Sequence, residues 1–289
     1  MFRSPTPAEL GSAVTGVVAS DSGNDDLSAR ALSDLPEVHA GDDLAELIVT
    51  AARSARPPHD YDYAYAPPPA PLRDGQIVAV AHKVVSKAEG AVVALDDVQP
   101  SPRARELAEA QHKDARAIQV VLDQSAEIVR AERDVLICRT HRGFVCANAG
   151  VDASNASAPD TLVVLPRDPD ASARALRARL HELTGAILAV LITDSFGRAW
   201  RHGQCDVALG CAGMAPLEDW RGRSDARGLR LRATWLAVAD AIAATADLAR
   251  AKDSREPVVL IGGLQRFVTP EDGPGAAALL RPLEEDMFR

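Results

Sequence analysis

The sequence predicts an α/β (α+β) protein, and three observations carry that expectation. Short apolar runs of strand length recur at 76–81, 186–193 and 257–261, rich in Val, Ile, Leu and Ala. Longer stretches at 44–55, 170–184 and 233–251 space their apolar residues as helices do. Strands and helices therefore interleave, without internal repeat or heptad array, as in mixed layers of sheet and helix.

Residues 1–30, rich in Ser, Ala, Gly and Asp, read as a loosely ordered lead-in. Asp42 or Asp43 can cap a helix that buries Leu44, Leu47 and Ile48 and fades near Ala55. The proline-rich loop 56–71 holds Tyr61, Tyr63 and Tyr65, and its prolines rule out helix and central strand. It is a linker or a surface cover. The Asp74-Gly75 turn leads into a buried strand, 76–81, which runs on to Lys83 and Lys87. Residues 103–118 predict one amphipathic helix, with Leu107, Ala110 and Ala115 turned inward. Short strands fit 134–138, 143–147 and 161–165. Asp170 is expected to cap a helix carrying Leu176, Leu180 and Leu183, ended by Gly185. Ala186–Thr193 is apolar on both faces and hence a central strand. The tail 280–289 is expected to pack.

A chain of 289 residues can bury a large core, as two domains or one large one. A net charge of −9 argues against nonspecific nucleic-acid binding and against an anionic membrane surface. Any anionic substrate must then meet local positive charge. Cys138, Cys146, Cys205 and Cys211 form no Cys-x-x-Cys pair and no zinc spacing, so free thiols in a reducing cytoplasm are expected. No secretory h-region follows Met1, and the longest apolar run is too short to cross a bilayer.

The chemistry gathers around two acids. In Gly143–Asn155, small residues surround Asp152, with Asn148 and Asn155 nearby; read alone, this is a Gly/Asn/Asp turn. Asp152 offers hard oxygen suited to Mg²⁺ or Mn²⁺, as does Asp194, which follows the central strand. Ligands gather beyond the carboxyl ends of strands, although Asp-Ser is equally a helix cap. After Asp194-Ser195 come Arg198, Arg201 and His202, many donors for phosphate or carboxylate oxygens. Lys83 and Lys87 flank Ser86, and Lys87 could reach a nucleotide phosphate. No Gly-x-x-x-x-Gly-Lys-Ser/Thr loop, Gly-x-Gly-x-x-Gly fingerprint or Gly-x-Ser-x-Gly elbow is present. Two acids for metal, several cations for phosphate and no activated nucleophile suit phosphoryl transfer, where positioning and charge neutralisation dominate.

These residues together resemble the GTP-dependent coenzyme F420-0:L-glutamate ligases, or gamma-glutamyl ligases. The resemblance rests on Leu35-Pro36-Glu37 with Gly41-Asp42-Asp43-Leu44, Lys83–Gly90, Gly143–Asn155, Thr193–Arg201, Asp225 with Gly228, and Arg281-Pro282 to Phe288. It implies a two-domain α/β subunit over residues 31–289, its two subdomains intertwined, in an intertwined homodimer. It implies that Leu35, Pro36, Glu37, Val38, His82, Lys87 and Asn155 contact GTP. Asp152 and Asp194 would share one Mg²⁺ or Mn²⁺ and Ser195 would touch a second, with K⁺ as a further cation. Lys87, Arg198 and Arg201 would serve the reaction. That reaction joins the lactyl carboxylate of F420-0 to L-glutamate through an acyl phosphate made from GTP, and further gamma-linked glutamates can follow.

The sequence departs from the family pattern toward its C-terminal end: Trp235 after Thr234, Ala241 after Asp240, Gly262-Gly263 after the late strand, and Arg250-Ala251-Lys252-Asp253 without a glycine. These changes bear on the second metal, the acceptor and chain extension. Two other readings stand beside the ligase. One is an amide ligase of the same fold acting on another phosphorylated carboxylate. The other is a non-catalytic nucleotide- or F420-binding protein.

Overall fold

The three apolar runs become neighbours in one sheet. In the computed structural model, which describes residues 26–33, 35–54, 71–154 and 158–286, five strands lie in the order β1 (Ser28–Ala31), β12 (Val258–Gly262), β2 (Ile77–Ala81), β8 (Ala189–Arg198) and β9 (Arg201–Ala212). Only β2 and β8 run parallel; the other pairs are antiparallel. The sheet is buried on both faces, which is why its strands read as continuous apolar runs.

Strand alternation divides that core in two. Val78, Val80, Val190 and Ile192 face α1 (Leu44–Ser54) and α5 (Pro169–Thr184), packing with Ile48 and Leu180. Ile77, Leu191, Val259 and Ile261 face α6 (Val238–Ala249), packing with Ala239, Ile242, Ala243 and Ala246. Burying each Val, Ile or Leu stabilises the fold by about 1.5–3 kcal/mol before entropy is counted. The short helix α2 (His82–Ala88) follows β2 directly.

A second, smaller core lies under α3 (Pro102–Ala110) and α4 (Ala115–Asp123), where Ala104, Ile118 and Val121 meet Leu136 and Cys138. Its sheet is β4 (Ser125–Glu132), β5 (Val135–Thr140) and β6 (Val145–Ala147). Two further pairs, β3 (Val92–Ala94) with β7 (Thr161–Val163) and β10 (Leu217–Asp219) with β11 (Trp235–Ala237), complete the mixed α/β fold.

Several expectations need correction. The single helix over 103–118 is two helices, because Asp114 caps a new one by accepting the Arg116 N–H at 2.7 Å, and His112 turns the chain at φ 50°. The cap of α5 is Asp168, which accepts the Ala171 N–H at 3.0 Å. Asp170 instead accepts the N–H groups of Cys211 and Ala276 at 2.9 and 2.7 Å, tying α5 to β9 and to the C-terminal segment. The Ala-rich helix starts at Val238 rather than 233, because Trp235–Ala237 pair with β10. The stretch read as lead-in ends in a strand, β1, while residues 1–25 and the proline-rich loop 55–70 lie outside the described residues. No described helix is long and apolar enough to cross a membrane. All four cysteines are free thiols; burial pushes Cys146 up to about 12.

Candidate active site

The parallel pairing of β2 with β8 ends at Ala81 opposite Thr193. Beyond it β8 does not stop, as Asp194-Ser195 suggested, but continues with β9 as a two-stranded ribbon to Arg198 and Arg201. Because side chains alternate, adjacent Asp194 and Ser195 go to opposite faces of that ribbon. A bulge at the ribbon's base, between Ile192 and Thr193, places Leu209 as an extra residue of β9.

On the first face, Asp194 meets α2. His82 Nε2 lies 3.5 Å from Asp194 Oδ1, while its Nδ1 is 3.3 Å from Ser86 Oγ. Burial drives His82 down to about 3, with Lys83 adding to the effect, so the imidazole is neutral and this contact is no ion pair. Its Nε2 is buried without a hydrogen-bond partner. Burial pushes the Asp194 carboxyl up to about 7; the Ser195 N–H and Lys83 pull the other way, while Asp206 and Asp152 add repulsion.

Asp152 reaches the same centre from the second region. Its backbone pairs with Val163 of β7, and the strand before it, β6, packs against β8. Lys83 Nζ is 2.5 Å from Asp152 Oδ2 and 2.6 Å from Ser154 Oγ. Burial opposes the Asp152 charge, but Lys83 and the Ser154 N–H and hydroxyl outweigh it and hold the carboxyl below its usual range. The approach to Asp152 is a left-handed turn, with Asn148, Ala149 and Gly150 at φ 51°, 54° and 73°. A Cβ on Gly150 would sit 2.6 Å from Leu165, so this glycine serves chain packing rather than the approach of a ligand.

On the opposite face, Ser195 donates to Asp206 Oδ1 at 2.6 Å and Thr193 donates to Oδ2 at 2.7 Å. Arg250 closes onto the same carboxylate and also donates to Thr193 Oγ1 at 2.7 Å. Lys252 donates to Ser195 Oγ and to Asp247, each at 2.7 Å. Burial works against the Asp206 charge, yet Arg250, Ser195, Thr193 and Lys252 outweigh it and hold the carboxyl below the usual range.

Among the site residues read from the sequence, the fold thus gathers His82, Asp152 and Asp194, together with Lys83, and turns Ser195 to the opposite face with Asp206 and Lys252. Lys87, buried on α2, bonds Glu37 at 2.5 Å, which lays Leu35–Val38 against the helix. Arg198 and Arg201 stand apart at the ribbon tip, beside Trp200 at 81% exposure. From Asp194 to Arg198 is four strand residues, about 13 Å. Asn155 lies outside the described residues. Asp225 closes a local turn by accepting the Arg227 and Leu229 N–H groups at 2.9 and 2.8 Å. Sequence reasoning missed Asp206, although a signal was there: it is the one charged residue in the apolar stretch 203–217. A cavity of ≈ 520 Å³ lies along Val164, Leu165, Phe144 and Arg142, just past the Asp152–Val163 pairing, and no acid of the centre lines it.

Asp152 and Asp194, close enough to repel each other, are the acids of this centre that could hold a cation, and Lys83 and Lys87, each paired with a carboxylate, are its nearby cations. Comparison with known proteins agrees with the motifs. A protein of Methanopyrus kandleri named coenzyme F420:L-glutamate ligase is 43% identical over 255 residues, covering 88% of this chain and 94% of that protein. One of the same name from Methanothermobacter thermautotrophicus is 41% identical over 265 residues, covering 91% and 99%. One from Methanocaldococcus jannaschii is 40% identical over 220 residues, covering 76% and 86%. The family profile described as F420-0:gamma-glutamyl ligase matches residues 33–263, and the chain belongs to that family.

Proposed function

We propose that this protein is an acid–amino-acid ligase that joins L-glutamate to the lactyl carboxylate of coenzyme F420-0, using GTP to form an acyl phosphate, in a cytoplasmic homodimer. The observation that carries the reading is the pairing of family membership with a centre where Asp152 and Asp194 face Lys83. A free carboxylate is a poor electrophile, and phosphorylation makes it reactive toward an amine. Bringing a carboxylate to a triphosphate requires cations placed in advance.

The residues fit a hard divalent ion such as Mg²⁺ or Mn²⁺. Asp194 is a half-buried carboxylate short of compensating charge, and His82 Nε2 is an orphaned buried donor or acceptor beside it. Among the described residues, no group of three His, Cys, Asp or Glu side chains could hold an ion alone. Two carboxylates with substrate phosphates completing the shell is the usual arrangement for Mg²⁺. Asp152 and Asp194 would hold the ion, which would supply charge neutralisation at the phosphates. Lys83 and Lys87 then position phosphate oxygens, Lys87 being released from Glu37 as the nucleotide enters along Leu35–Val38. Asp194, uncharged in part near pH 7, regains its full charge with a cation beside it. Arg198 and Arg201 offer donors to the acid substrate at the outer end of the ribbon.

Dimerisation is favoured by exposed apolar side chains on the 217–237 excursion, Leu229, Trp235 and Leu236. Light scattering reads it, and a monomeric mass overturns it. The reaction is tested by mass spectrometry of F420-0 incubated with the protein, GTP, Mg²⁺ or Mn²⁺ and L-glutamate. The expected product carries one or more added glutamyl residues. Product formed equally well without GTP, or no product at all, refutes the reading.

A further inference from the structure

We propose that Arg250 and Lys252 fill, as fixed side-chain cations, the place of a second divalent ion, so that each chain binds one divalent cation and not two. The proposal rests on the metal reading of Asp152 and Asp194 given above, and it concerns the other face of the ribbon.

That face holds oxygens that could otherwise seat an ion: Asp206 and Ser195, with Thr193 beside them. Every one of them is already engaged. Asp206 accepts from Ser195, Thr193 and Arg250. Ser195 Oγ spends its proton on Asp206 and accepts from Lys252. Arg250 is 9% exposed and pinned further by the Pro257 carbonyl at 3.1 Å. Lys252 is anchored by Asp247, and its Nζ is 3.8 Å from Asp206 Oδ1. Two acids, Asp206 and Asp247, thus meet two cations, and the cluster is neutral without any ion from solution.

An incoming divalent ion would have to expel a buried guanidinium from its carboxylate and leave it unpaired, which is strongly unfavourable. Asp194 and Asp152 present the reverse case, since the cation they share is the Lys83 ammonium alone, with no guanidinium on either carboxylate. Lys252 differs from Arg250 in standing at the open side, 65% exposed. A lysine there acts as a point charge on an anionic oxygen, and a nucleotide phosphate is the ligand chemistry it suits.

The test counts Mn²⁺ bound to the full-length protein carrying one equivalent of a non-hydrolysable GTP analogue, whose phosphates complete the shell, by equilibrium dialysis, with free Mn²⁺ read by electron paramagnetic resonance. One Mn²⁺ per chain is expected, lost in Asp194→Asn. Lys252→Glu alone leaves Arg250 on Asp206 and is expected to stay at one, whereas Lys252→Glu with Arg250→Gln, its folding checked by circular dichroism, frees Asp206 and Ser195 and is expected to raise the count to two. Two ions on the unaltered protein overturn this inference and leave the Asp152–Asp194 reading standing. None on the unaltered protein overturns both. A count that stays at one in the folded double variant shows that these two cations do not keep the ion out, and also overturns it.

Discussion

Asp194 and Asp206 sit across the same hairpin, one residue out of register, and both are largely withdrawn from water. Asp206 is met by a guanidinium and two hydroxyls and stays charged below the usual range. Asp194 is met by a neutral imidazole, one N–H and the repulsion of two other acids, and is pushed up to about 7. Burial is common to both, so it is the partner and not the depth that separates a carboxylate serving the fold from one kept for a ligand.

The comparison breaks most visibly in activity. Asp194→Asn should lower turnover by about 100- to 1000-fold, the scale of losing a charge-stabilising group; near-native rates would remove it from the metal. The same variant should be more stable than the parent in metal-free buffer. The folded-state pKa lies above the unfolded value, so the parent loses stability as pH rises from about 4 to about 7, and the asparagine does not. Melting curves in chelator should therefore diverge by a few kcal/mol at pH 8 and converge near pH 4; equal curves at pH 8 would deny the uncompensated charge.

Arg250→Ala should act oppositely, costing about 3–5 kcal/mol in urea unfolding by stranding Asp206. A loss under about 1 kcal/mol would mean that the pair is not a strut. Lys87→Ala should weaken GTP binding about tenfold by calorimetry, or about 1.4 kcal/mol, and unchanged affinity would refute its phosphate role. The smallest effect is expected from Arg198→Ala with Arg201→Ala at the ribbon tip. Stability should move by less than about 0.5 kcal/mol, with a few-fold rise in KM for the acid substrate and none for GTP.

Much of this was legible in the residues themselves. The main sheet announced itself because β2, β8 and β12 are buried on both faces and leave apolar runs with no polar interruption. Asp152, Asp194 and the α2 lysines were legible as charged groups beside small or apolar residues. The position of Ser195 was not, because Thr193-Asp194-Ser195 reads as the end of a strand when the strand in fact runs on to Arg198. Nor was the break between α3 and α4, where helical spacing persists across a cap and only Asp114 marks the restart. The partners of Asp206 come from 44 and 46 residues further along, at Arg250 and Lys252, a distance that local pattern cannot bridge.

The bulge at Leu209 has a consequence for how such a centre can change. From Leu209 outward toward the tip, the parity of β9 is inverted relative to its inner half: Leu209 and Ala212 face one core, Ala208 and Cys211 the other. Without that leucine the ladder would alternate regularly and Asp206 would still pair with Ser195 on the Arg250 side, so the bulge absorbs the extra residue instead of passing a face change outward. A change of one residue in strand length is thus taken up at the base of the ribbon, and the acids further out keep their faces.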